Sequence, residues 1–149
     1  MQVLLAIFIQ RVAETVDTQE RIKTAVANVL KQDQRLVFAY IYGSFARAEA
    51  FRDIDVGVYL RDPEEDPFGV SFDVKERVSR SLQGIGIDTD ADLFDVKILN
   101  GAPFTFLKRV FIEGLLMLDR DPELRTDLIE HVSMKYRECA GLMAEASLL

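Results

Sequence analysis

Hydrophobic positions change period several times along the chain, and each change marks an element. Over residues 18–31, Ile22, Ala25, Val26, Val29 and Leu30 recur at spacings of three and four, which places them on one helical face. Asp17 before this run and Glu20 three residues after it suit an N-cap with a capping box, so a helix is expected to begin at Asp17. Residues 36–42 (LVFAYIY) are apolar without period and of strand length, which predicts a buried strand. It ends at Gly43-Ser44, and helix formers follow over 45–50. Residues 53–60 (DIDVGVYL) alternate strictly, a second strand. A helix is expected over 70–82, broken by Gly84 and Gly86, then a third strand over 91–99 (ADLFDVKIL). A helix over 103–113 has Pro103 near its first turn. A short fourth strand at 115–118 precedes a last helix over 122–146, capped by Asp121. The acidic stretch 62–67 (DPEEDP) reads as a loop, and no repeat is visible. This order predicts an α/β (α+β) domain over 1–149: one mixed sheet with helices packed on one face, an N-terminal apolar segment at 1–16 and a C-terminal helix at 121–147.

The first ten residues, MQVLLAIFIQ, are too short an apolar run to span a bilayer and lack the basic start and cleavage site of a signal peptide. The expectation is a terminal helix that packs on the domain or on a partner. A chain of 149 residues with 49% hydrophobic and 29% charged residues can bury a real core. Its net charge of -7 argues against direct nucleic-acid binding, which needs clustered Lys and Arg. It leaves room for a magnesium-nucleotide enzyme, because the metal supplies the positive charge. The lone Cys139 forms no internal disulfide, so a reduced, cytoplasmic setting without a membrane is expected.

Candidate chemistry gathers on the strands. Asp53 and Asp55 lie two apart, so their carboxylates share a face while Ile54, Val56, Val58 and Leu60 take the other. Asp95 and Lys97 repeat the arrangement on the third strand, opposite Phe94, Val96 and Ile98. Hard oxygen donors at this spacing suit Mg²⁺. Three carboxylates on one sheet face would serve metal-assisted phosphoryl transfer. Gly43-Ser44, between a strand and helix formers, offers backbone N–H groups and a hydroxyl to phosphates, with Arg47 one turn on. Alone, a D-x-D pair is most often a solvated face and a Gly-Ser pair only a turn. The ordered combination is far more specific.

That combination, YGSFARAEAFRDIDVGVYL over 42–60, resembles the signature of the DNA polymerase β-type nucleotidyltransferase superfamily, and within it the minimal nucleotidyltransferase (MNT) proteins. Gly43, Ser44, Asp53 and Asp55 match directly. Asp95, followed by VKILNGAP, is the best match to the third carboxylate, with Asp92 as runner-up. The chain departs from the pattern at Ala48, where a Gly is frequent, and in the connection from Ser44 to Asp53, which at eight residues is shorter than is common. The resemblance implies catalytic and metal-binding roles for Asp53, Asp55 and Asp95, nucleotide binding by Gly43, Ser44 and Arg47, Mg²⁺ as cofactor and ATP as donor of AMP. It also implies a HEPN-type toxin as partner, a tyrosine of that toxin as acceptor, and an antitoxin role. Homo- or hetero-oligomers are both compatible with it. The alternatives are a nucleotidyltransferase acting on a small molecule, as those modifying aminoglycosides do, or a non-catalytic toxin-binding module.

The remaining chemistry-bearing residues point to structure. His131 and Cys139 lie on the predicted last helix without partners for catalysis, and Phe104, Leu107 and Phe111 recur at core spacing. Leu128, Val132 and Tyr136 share a face that suits docking or internal packing equally.

Overall fold

A computed structural model describes residues 1–47, 53–88 and 91–148. Four strands form one mixed sheet in the order β3-β2-β1-β4. The central strand β1 (Leu36–Tyr42) is buried at every residue, which explains its unbroken apolar run. It pairs antiparallel with β2 (Ile54–Leu60) on one side and with β4 (Leu115–Asp119) on the other. Strand β3 (Phe94–Ile98) lies parallel to β2 and closes one edge. The expected third strand is shorter than its pattern suggested, because residues 91–93 form a 3-10 turn that carries Asp92.

Helices cover both faces of this sheet, where one covered face was expected. Against one face pack α1 (Gln2–Gln32) and α2 (Pro67–Gly84), whose Val26, Leu30, Val74 and Leu82 meet Ile41, Ile54, Val56 and Phe94. Against the other pack α3 (Phe104–Glu113) and α4 (Pro122–Leu148), with Leu107, Val110 and Val132 against Phe38, Tyr40 and Tyr42. Alternation in β1 divides its side chains between these two layers. Phe104, Phe111 and Leu128 join the second layer, so internal packing accounts for them. Asp66 caps α2 by accepting from the Phe68 N–H, and Asp121 caps α4 by accepting from the Leu124 N–H at 3.0 Å.

Helix α1 begins at Gln2, so the expected start at Asp17 is not a start. Residues 2–16 hold no Gly or Pro to interrupt a helix. The Thr18 hydroxyl donates back to the Glu14 carbonyl at 2.9 Å, a bond made inside a helix and not at a cap. Ile22, Ala25, Val26, Val29 and Leu30 are all buried, as their spacing predicts. The preceding apolar residues are helical but largely exposed: Leu4 is 72% and Phe8 63% exposed. Just past its other end, the Arg120 guanidinium ties α1 to β1 by donating to the backbone oxygens of Lys31, Asp33 and Leu36. Among the described residues, no helix is long and apolar enough to cross a membrane.

Candidate active site

Asp55 and Asp95 lie where β1 ends and β2 and β3 begin. The parallel register of β2 on β3 sets Asp55 directly beside Asp95, so the two side chains share the sheet face that α3 and α4 cover. Asp53 precedes β2 and is exposed. Burial, then the charges of Asp95 and Asp53, push the Asp55 carboxyl above its ordinary value, while Lys97 and Arg109 oppose the rise. Asp55 therefore lies within electrostatic reach of both other acids. Among the described residues, no three His, Cys, Asp or Glu side chains stand close enough together to hold one ion as they are. Asp55 and Asp95 form the pair and Asp53 is its outer member. Asp92, in its 3-10 turn ahead of β3, has no place in the Asp55–Asp95 register.

Gly43 shapes the other side of the site. Its φ of 78° is left-handed, and a Cβ there would overlap Oδ2 of Asp55. Only glycine lets the backbone turn so close to that carboxylate. Residues 44–47 form a tight turn in which the Arg47 N–H donates to the Gly43 carbonyl at 3.2 Å. The helix expected over 45–50 is thus a turn through Arg47, and its remainder, with Ala48, lies outside the described residues. Ser44 is half-buried at the mouth of this turn. Arg47 points to α3, where its Nη1 bonds Glu113 Oε2 at 3.1 Å.

Beneath the carboxylates sits Tyr42, the residue of β1 in register with Asp55. Its hydroxyl is buried and has no hydrogen-bond partner among the described residues. Burial, then Asp55 and Asp95, raise its phenol well above the ordinary value, and Arg109 opposes this. The Phe106 ring stands edge-on to Tyr42 at 5.5 Å. Lys97 Nζ lies 5.9 Å and the Arg109 guanidinium 5.6 Å from the centre of that ring. Lys97 also faces Asp95, its Nζ 3.9 Å from Oδ2.

The sequence pattern of 53–60 and 91–99 revealed the acids but not Tyr42, Phe106, Arg109 or Glu113. A signal existed for three of these. Positions 106, 109 and 113 recur at three and four on α3 and diverge from the buried Leu107 and Val110, so they form one polar-edged stripe. His131 is exposed on α4, and Cys139 is a free thiol there.

The donor set is compatible with a divalent cation. Two carboxylates side by side, completed by water and substrate phosphates, are a usual way for proteins to hold Mg²⁺. A cation would offset the burial and the repulsion that together raise Asp55, and it would draw on hard oxygen donors only.

The sequence pattern of the family "Polymerase beta, Nucleotidyltransferase" matches residues 24–123. No curated protein sequence matches the chain. Among solved structures, the chain is similar to one described as tri-AMPylated Shewanella oneidensis HEPN toxin in complex with MNT antitoxin. The TM-score is 0.59 at 13% identity, covering 88% of this chain and 99% of that one. It is also similar to a toxin–antitoxin with AMP-PNP, with a TM-score of 0.61 at 14% identity over 85% of this chain and 98% of that one. The toxin–antitoxin MntA-HepT gives 0.56 at 12% identity over 87% and 99%. At these identities the structural likeness establishes the fold. The family pattern spans from the buried half of α1 to the start of α4 and takes in Asp53, Asp55 and Asp95, so the chain belongs to the polymerase β nucleotidyltransferase family.

Proposed function

We propose that the protein is a Mg²⁺-dependent adenylyltransferase that moves AMP from ATP to a hydroxyl of a HEPN-type toxin, a tyrosine by preference, and so acts as its antitoxin. The observation that carries this reading is the in-register pair Asp55–Asp95 beside the Gly43 turn. Asp53, Asp55 and Asp95 would hold the divalent cation. When bound, it would neutralise the carboxylates and the triphosphate and activate the attacking hydroxyl. Gly43 and Ser44 offer the phosphates a close backbone approach and a hydroxyl, with Arg47 at the rim. In the transfer, the acceptor oxygen bonds the α-phosphorus as the bond to the bridging oxygen breaks. Pyrophosphate leaves with that electron pair, and the hydroxyl proton passes to solvent.

The neighbouring structures support the choice of donor and partner: one holds an AMPylated HEPN toxin with its MNT antitoxin, another AMP-PNP. The deciding experiment incubates the full chain with labelled ATP, Mg²⁺ and a HEPN protein encoded beside it. Label on that protein is the expected result. A tight complex that acquires no label would instead favour neutralisation by contact alone. The exposed apolar residues of α1, Leu4, Leu5, Phe8 and Ile9, lend that second reading its support.

A further inference from the structure

Arg109 has an unusual position in an acidic chain. It is exposed on α3, makes no ion pair with a carboxylate among the described residues, and rests 5.6 Å from the centre of the Phe106 ring. The same helix holds Arg47 away through Glu113, one turn further on. The stripe of α3 that faces the site thus presents one arginine and retains the other. Phe106, packed edge-on against Tyr42, is the platform that sets Arg109 beside the Asp55 strand end.

We infer that Arg109, seated on Phe106, binds the β- and γ-phosphates of the nucleoside triphosphate, in preference to Arg47. This rests on the transferase reading above. A polyphosphate next to three carboxylates brings more negative charge to one place, and the leaving pyrophosphate gains more as the bond to the α-phosphorus breaks. A preplaced guanidinium stabilises that charge most where it has no acid of its own to satisfy. Its planar fork also suits two phosphate oxygens at once. Arg47 begins with Glu113 as a partner and would have to leave it.

The test measures binding as well as turnover. Calorimetric affinity of the full chain for Mg·AMP-PNP, for Mg·pyrophosphate and for AMP is compared between the native protein, Arg109→Gln, Arg109→Lys and Arg47→Gln. The expected result is a loss of about 10- to 100-fold for AMP-PNP and pyrophosphate in Arg109→Gln, the scale of one charge-assisted contact. AMP affinity should stay within about twofold because AMP lacks the outer phosphates. Arg109→Lys should recover part of the loss, and Arg47→Gln should lose less. Equal AMP-PNP affinity in Arg109→Gln and native protein, or a larger loss in Arg47→Gln, overturns the inference and leaves the transferase reading standing. Failure of the native protein to bind AMP-PNP at all overturns both.

Discussion

A side chain on Gly43 would occupy the space that Oδ2 of Asp55 already fills, so the turn after β1 and the carboxylate of β2 are fitted to one another. Gly43→Ala should therefore act twice. The left-handed backbone alone costs about 1–2 kcal/mol for a residue with a Cβ. The overlap then displaces Asp55. Thermal unfolding should show the first effect and divalent-cation affinity the second. An alanine variant with native melting and native cation affinity would separate the turn from the acid.

Asp55→Asn and Asp95→Asn should abolish transfer. Loss of a ligand should exceed the about 10- to 100-fold cost of losing a group that merely orients one. Labelled-ATP transfer measures this, and a rate near the native one in either variant contradicts the assignment.

The same Asp55→Asn change should raise the melting temperature in metal-free buffer. The folded pKa of Asp55 lies above its ordinary 3.8, through burial first and then Asp95 and Asp53. The folded state consequently binds that proton more tightly than the unfolded state, and stability falls as pH rises from 3.8 through the folded value. Asparagine removes this fall. The gain should be present at neutral pH and vanish near about pH 3, where both states hold the proton. Melts at the two pH values, without divalent ions, read it directly.

Asp33 should do the opposite. Burial pushes its carboxyl up, but hydrogen bonds and charge from Arg35 and the charge of Arg77 outweigh this and hold it below the ordinary 3.8. Its carboxylate lies 2.7 Å from Arg35 and 3.4 Å from Arg77. The stability it contributes is present above pH 3.8 and is lost as pH falls through its lower folded value. Asp33→Asn should cost about 2–3 kcal/mol at neutral pH and flatten the loss on acidification. That is below the about 3–5 kcal/mol of a fully buried pair. The reason is that Arg35 and Arg77 remain 30% and 31% exposed. Denaturant unfolding across pH tests both statements.

Two leucines of α1 should respond very differently. Leu30 is fully buried between α1 and the sheet, so Leu30→Ala should cost about 2–5 kcal/mol. Leu4 is 72% exposed, and Leu4→Ala should stay within about 0.5 kcal/mol. Denaturant midpoints compare them. A large loss at Leu4 would mean that its end of the helix is covered by a partner copy in solution.

Much of this protein is decided by local pattern. The unbroken apolar run 36–42 and the alternation over 53–60 place their strands within a residue or two, and Ile22, Ala25, Val26, Val29 and Leu30 mark the buried face of α1, because burial periodicity depends only on the backbone's own geometry. Helix starts are less local. Asp17 and Glu20 spell a cap, yet a cap forms only where the preceding chain is not itself helical, and residues 2–16 are. The site divides in the same way. Period two puts Asp53 with Asp55, and Asp95 with Lys97, but only strand pairing sets Asp55 beside Asp95, since register is a relation between strands. What reaches that pair from α3, Arg109 on its Phe106 platform and Glu113 holding Arg47, depends on how a helix distant in sequence docks on the sheet. Spacing puts positions 106, 109 and 113 on one stripe of α3, but packing alone turns that stripe toward the pair.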